Sequence, residues 1–133
     1  LHLCHVFTVD DLKYLHRGGR VSKTAAIAGS ILGIKPLLHV DNEGHLIPVG
    51  KIRGRKQSIE KLVDMMCERM GNWDNSTVAV CHGDCLSDAE YAADLMRKKL
   101  GKKTTVHICY TGAVIGSHSG PGTLALFFMG DQR

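Results

Sequence analysis

Residues 77–110 read TVAVCHGDCLSDAEYAADLMRKKLGKKTTVHICY, and their hydrophobic spacing decides the fold. Thr77 to Cys81 is a short Val-rich run that stops at turn residues, the signature of a strand. Leu86, Ala89, Ala93, Met96 and Leu100 then form an apolar stripe at helical spacing, introduced by the capping pair Ser87 and Glu90 and closed by Gly101. Thr104 to Tyr110 reads as a second strand. Strand, helix and strand in that order make a βαβ unit, and its right-handed crossover leaves the two strands parallel.

The segments on either side extend this unit into a sheet with flanking helices. Ile59, Leu62, Val63, Met66 and Met70 share one face of a helix predicted to end at Gly71, so the methionines belong to the core. A third helix is expected over Ser22 to Leu32, stopping at Gly33. Its small residues Ala25, Ala26, Ala28, Gly29 and Ser30 permit the close approach of another surface or a ligand, at some cost in propensity from Gly29. A short helix is expected from Asp10, with Leu12 and Leu15 inward. Further strands are expected over Val6 to Val9, Ile34 to Val40, Leu46 to Ile52 and Thr123 to Met129, with a hairpin turn at Asn42-Glu43-Gly44. The fold class is therefore α/β, a mixed sheet with flanking helices over residues 1–133.

Composition agrees with one ordinary domain: 133 residues, 44% hydrophobic and 23% charged, with a net charge of +4. At this length a hydrophobic core needs neither disulfide staples nor a metal clip. No apolar run approaches the roughly 18 residues of a membrane-spanning helix, and the opening Leu1-His2-Leu3-Cys4-His5 is no secretory signal, so a soluble, cytoplasmic chain is expected. The cysteines Cys4, Cys67, Cys81, Cys85 and Cys109 are odd in number and lack framework spacing, which suits free thiols in a reducing compartment. The chain lacks an initiator Met and reads as a piece of a longer protein.

The charge is concentrated. Lys51, Arg53, Arg55, Lys56 and Lys61 stand against the single acid Glu60 and account for the whole positive excess. This stretch is either a patch for phosphate, nucleic acid or an acidic partner, or a solvated strand end and helix start. Only 5% aromatic residues and no recognisable motif speak for nucleic acid.

Two glycine-bearing segments carry the candidate chemistry. In Gly116-Ser117-His118-Ser119-Gly120-Pro121-Gly122, glycines let backbone N–H groups approach an anion, and Ser117, His118 and Ser119 add side-chain donors. The loop is either such a cradle, suited to a carboxylate or phosphate, or a tight turn into the last strand. It is not a P-loop, because no Lys-Ser/Thr pair follows the glycines. Gly18-Gly19-Arg20 permits a sharp bend and aims a guanidinium fork suited to a carboxylate or phosphate, with Lys23 adding charge. Cys81-His82-Gly83-Asp84-Cys85 lacks the second cluster that a zinc site requires, so His82 is expected to close the βα turn by a hydrogen bond. No Gly-x-Ser-x-Gly elbow is present for nucleophilic catalysis, and His16, His39 and His45 read as structural or exposed.

Over essentially its whole length the chain resembles the DegV family of bacterial fatty-acid-binding proteins. The resemblance rests on Phe7-Thr8-Val9-Asp10-Asp11-Leu12-Lys13-Tyr14-Leu15, Gly18-Gly19-Arg20-Val21-Ser22, Ile34-Lys35-Pro36-Leu37-Leu38, Gly44 with Lys51-Ile52-Arg53-Gly54-Arg55-Lys56, and Gly116 to Gly122 ahead of Phe127-Phe128. It implies a two-domain, non-catalytic carrier. A long-chain fatty acid would lie in a buried tunnel, its carboxylate near the domain junction, and be presented to a separate ATP-dependent fatty acid kinase. No cofactor beyond that ligand is implied. By the same resemblance His118 would hydrogen-bond the carboxyl head, with Ser117, Ser119 and Gly120 around it. Arg20 would stand near the acyl phosphate or the kinase, and Arg53 and Arg55 would face the kinase.

The chain resembles the carboxyl-terminal domain only, since the amino-terminal domain that completes the head-group site is absent. Ser119 stands where the family often has Thr, and Val21 where it often has Ile. Burying about 14 methylenes at about 0.8 kcal/mol each contributes roughly 11 kcal/mol gross, against roughly 1.5–3 kcal/mol for a charged head-group hydrogen bond. Affinity then comes from the tail and orientation from the head. For the tail wall the candidates are Ile27, Ile31, Ile34, Leu124 and Leu126, with plain core as the equal alternative for all five. Two other classes compete: a phosphotransferase handling a small anion at the Gly116 to Gly122 loop, and a nucleic-acid or regulatory module using the Lys51 to Lys61 charge.

Overall fold

The computed structural model describes residues 1–22, 33–131 and 133. In chain order the elements are β1 (Leu3–Thr8), α1 (Lys13–Arg17), β2 (Ile34–Val40), β3 (Leu46–Arg53), α2 (Arg55–Arg69), β4 (Thr77–His82), α3 (Leu86–Leu100), β5 (Thr105–Tyr110), α4 (Ala113–Ser119) and β6 (Leu124–Met129). The strands form one sheet in the order β3-β2-β1-β6-β4-β5. Among the described strands β4 and β5 are the one parallel pair of neighbours, with Thr77 opposite Thr105 and Cys81 opposite Cys109, as the βαβ reading requires. The Asn42-Glu43-Gly44 turn joins antiparallel β2 and β3. The helix expected over Ser22 to Leu32 lies outside the described residues from position 23 onward.

Side chains alternate across each strand, so each strand feeds two layers. Helices α2 and α3 pack on one face of the sheet. Val6, Val80, Leu126 and Phe128 meet Leu62, Met66, Ala89 and Met96 there in one continuous buried cluster. Each fully buried Leu or Met contributes about 1.5–3 kcal/mol relative to exposure. On the other face Phe7 and Leu38 are covered by Leu12 and Leu15, which flank and belong to α1.

Three details differ from the sequence reading. Cys85, not Ser87, is the N-cap of α3, and it makes no side-chain capping hydrogen bond. Leu86 is 48% exposed, while Ala92 is fully buried, so the inward stripe of α3 begins at Ala89. Helix α2 ends at Arg69 with Met70 as its cap, and Gly71 follows at φ 55°.

The basic stretch is also explained by position. β3 is an edge strand, and Pro48, Lys51 and Arg53 lie along it. A proline and cations on an edge oppose pairing with another chain's backbone. No helix among the described residues is long and apolar enough to cross a membrane.

Candidate functional site

The site is built at the sheet end where Thr8, Leu124, His82 and Tyr110 lie side by side in register. Carboxyl ends of parallel strands are where α/β folds commonly bind ligands. His82 is buried here. Its Nδ1 accepts a hydrogen bond from Cys85 N at 3.2 Å, closing the βα turn as expected, and its ring lies 4.4 Å from that of Tyr110.

The Gly116 to Gly122 stretch is not the loop expected throughout. Its first four residues complete the short helix α4, and only Gly120-Pro121-Gly122 form the turn into β6. Gly122 N donates to Gly83 O at 2.7 Å, Gly83 N to Thr123 O at 2.8 Å, and Thr123 Oγ1 to Gly120 O at 2.7 Å. Gly120 has φ 80°, and a side chain there would collide with the Tyr14 ring. Gly122 has φ 78°, and a Cβ there would stand 2.9 Å from Asp10 Cβ and closer still to its carboxylate. Conformation and space both demand glycine at these two positions.

The diglycine divides its work. At the end of α1, Gly19 N donates to His16 O at 2.9 Å and Arg20 N to Leu15 O at 2.8 Å. These are the two bonds of a Schellman cap, with Gly19 in the left-handed conformation at φ 70°. Gly18 serves a different purpose, because a Cβ there would stand 3.0 Å from His118 Cγ and nearer yet to Nδ1. The backbone of the bend therefore lies directly against the His118 imidazole, and α1 and α4 pack together. Arg20 is exposed, and its Nη1 donates to Gly18 O. Two sequence-distant motifs are thus brought to one place: the half-buried His118 ring, the Gly18 backbone and the Arg20 guanidinium.

The neighbouring hydroxyls are engaged. Ser117 Oγ donates to Val114 O at 2.8 Å, and buried Ser119 Oγ to Ile115 O at 2.9 Å. Both protons serve the helix, leaving only oxygen lone pairs to face a ligand. The expectation that these serines add donors therefore does not describe this arrangement.

The two arginines of the basic motif differ. Arg53 is exposed at the end of β3. Arg55 is a clasp: its Nε donates to Asp88 Oδ2 at 2.8 Å, Nη2 lies 3.5 Å from Cys85 Sγ, and Nη1 lies 3.7 Å from Asp10 Oδ1. It ties the starts of α2 and α3 to the segment after β1. Burial pushes the Cys85 thiol up, with Arg55 pulling the other way. Lys35 Nζ meets the same Asp10 oxygen at 2.7 Å.

Of the expected tail wall, Ile27 and Ile31 lie outside the described residues. Leu124 and Leu126 are corrected to plain core, being fully buried in the cluster under α2 and α3. Ile34 is half-buried in β2. On the opposite face of β6, Ala125 and Phe127 remain half-buried. Tyr110 at the end of β5, and Val114 and Ile115 at the start of α4, are 69%, 74% and 63% exposed. Sequence reasoning missed Tyr14 and Asp10 as the walls that fix the glycine turn. Among the described residues no three potential metal ligands gather.

A model described as an uncharacterised protein of the DegV family matches residues 2–131. A DegV domain-containing protein of Clostridium perfringens is 48% identical over 131 residues, covering 98% of this chain and 45% of the relative. The chain is similar in structure to a fatty acid binding DegV family protein of Streptococcus agalactiae, with TM-score 0.83 and 31% identity over 98% of this chain and 45% of that one. It is also similar to DegV, a fatty acid binding protein from Bacillus subtilis, with TM-score 0.73 and 34% identity over 98% of this chain and 45% of that one. The chain spans less than half the length of these relatives. The family model covers nearly every residue, and the sheet with flanking helices is shared with the solved members: the chain belongs to the DegV family.

Proposed function

We propose that this chain is the carboxyl-terminal, lipid-binding lobe of a two-domain protein that binds a long-chain fatty acid and performs no chemistry on it. The observation that carries the reading is the packing of the Gly18 backbone against His118, with Arg20 folded onto the Gly18 carbonyl. An imidazole and a guanidinium at one strand end supply two donors of the type that a carboxylate accepts. Exposed Val114 and Ile115 on the same short helix as His118, and half-buried Ala125 and Phe127 on the β6 face away from α2 and α3, supply apolar material for a tail. Two similar solved proteins are described as fatty acid binding, and this chain spans less than half of each.

In this reading His118 holds the carboxyl head, with the backbone around Gly120 beside it. Ser117 and Ser119 act through α4, by keeping the His118 turn of the helix formed. Arg20, exposed and aimed by the Schellman cap, serves the same head group and the acyl phosphate. A fatty acid kinase is the partner that receives the acid, and exposed Arg53 is the better candidate for its docking than Arg55, whose guanidinium is bound within the fold. An amino-terminal lobe would complete the head-group site.

Solvent extraction and mass spectrometry of the natively purified full-length protein test this. A long-chain fatty acid should be recovered in near one-to-one amount. Recovery of no acid, or of a polar metabolite in its place, overturns the reading.

A further inference from the structure

Cys81 and Cys109 are register partners on the parallel strands β4 and β5. Directly opposed residues on neighbouring strands lie about 4.8 Å apart, within the roughly 4.4–6.8 Å Cα separation of natural disulfides. Both side chains project from the same face of the sheet, and their sulfurs are 2.7 Å apart as free thiols. β5 is the edge strand opposite β3 and Cys109 is exposed, whereas Cys81 is half-buried behind it. The other cysteines sit differently: Cys4 is buried in the core, Cys67 packs against it, and Cys85 bonds Thr123 O at 3.3 Å.

We propose that Cys81 and Cys109 are a redox modification site, a dithiol that closes reversibly to an intramolecular disulfide by exchange with a small-molecule disulfide. The accessible Cys109 thiolate attacks one sulfur of the oxidant, forming a mixed disulfide and releasing one small thiolate. Cys81 gives its proton to solvent and attacks Cys109 Sγ, releasing the second. The protein pair loses two electrons and two protons, and the oxidant leaves as two thiols. Burial pushes the Cys81 thiol up to about 12, and the hydrogen bond and charge of Cys109 add to that push. Capping Cys109 removes the latter two contributions, so the second step is favoured only after the first. Closure would staple β5 to β4 one residue before the His82 and Tyr110 rings. This inference does not depend on the fatty-acid reading.

Oxidised glutathione, added to the purified full-length protein and followed by acid quenching and peptide mapping, is the test. The expected product carries a Cys81–Cys109 cross-link, has lost two hydrogens in intact mass and two titratable thiols, and is restored by dithiothreitol. Cys81→Ser, a nearly isosteric change, should leave Cys109 carrying one glutathione. The proposal is overturned if the wild-type protein accumulates glutathione on Cys109 while Cys81 stays free. It is equally overturned if both thiols stay reduced under oxidant that converts an unfolded control, or if the cross-link joins other cysteines.

Discussion

On strand β6, Phe128 points toward helices α2 and α3 and is 2% exposed, whereas Phe127, one residue earlier, points to the opposite face and is half-buried beside the His5 ring at 5.0 Å. One face of the sheet carries a buried core of Leu, Val, Met and Ala with Ile59, Cys4 and Phe128. On the other, the described residues that cover the sheet gather near α1, and the paired thiols Cys81 and Cys109 lie on it. The difference separates what holds the fold together from what is left for a ligand. Where the two long helices pack, the apolar side chains are already buried, while among the described residues the other face keeps half-buried Ala125 and Phe127, apolar surface that binding can bury.

The largest expected contrast lies in those two phenylalanines. Phe128→Ala should cost about 3–5 kcal/mol of stability by chemical denaturation, and Phe127→Ala less than about 2 kcal/mol. Equal losses would show that the two faces are packed alike. Next comes Gly120→Ala, which meets both a positive φ and the Tyr14 ring. It should destabilise by about 1–3 kcal/mol, while Gly101→Ala, also at positive φ but with open space around it, should cost less.

The arginines give a smaller, more discriminating pair. Arg55→Ala leaves Asp88 and Asp10 without their clasp and should lower stability by about 1–2 kcal/mol, a half-buried ion pair being worth more than a surface one. Arg20→Ala should alter stability by no more than about 0.5 kcal/mol, as surface changes do, and should instead lower transfer of a phosphoryl group to bound acid in a kinase assay. Reversal of that order would exchange the two roles.

Smallest of all is a pH effect on the open face. Burial, with Arg133 adding to it, holds the His5 imidazole below its ordinary 6.5. Its Nε2 is among the described buried atoms that have no hydrogen-bond partner, so a charged ring gains nothing there. The unfolded chain then binds more protons than the folded one. The stability from this group is present above 6.5 and is lost as the pH falls through the lower folded value. On the opposite face, His39 beside Val6 is shifted in the same direction, burial being its main cause. Denaturant midpoints measured from pH 7 downward should fall, and His5→Asn should flatten the fall.

Much of the fold was legible because long elements carry redundant signals. The α2 stripe from Ile59 to Met66, the α3 stripe from Ala89 to Met96 and the Asn42-Glu43-Gly44 turn each declare their state locally. Helix α4 did not. Its sequence Ala113-Val114-Ile115-Gly116-Ser117-His118-Ser119 has a mid-helix glycine and β-branched residues, a poor helix by propensity, and it is held by packing against α1. The faces of β6 were equally hidden, since Leu124-Ala125-Leu126-Phe127-Phe128-Met129 has no polar alternation to mark which side meets the helices. Hence the sequence alone leaves Leu124 and Leu126 between tail wall and plain core, and the structure assigns them to the core. At the site, residue types were readable and pairings were not. That Gly18 touches His118, or that Arg55 reaches Asp88 and Asp10, depends on elements far apart in the chain.

The central claim is that the imidazole packed on the diglycine bend grips a fatty acid head group. Equilibrium titration of the full-length protein with a long-chain fatty acid, wild type against His118→Ala, tests it most directly. Loss of one charge-assisted hydrogen bond should weaken binding by about 10- to 150-fold with the thermal midpoint unchanged. An affinity unchanged to within about twofold would contradict the claim, because a change that small is below the worth of any such bond.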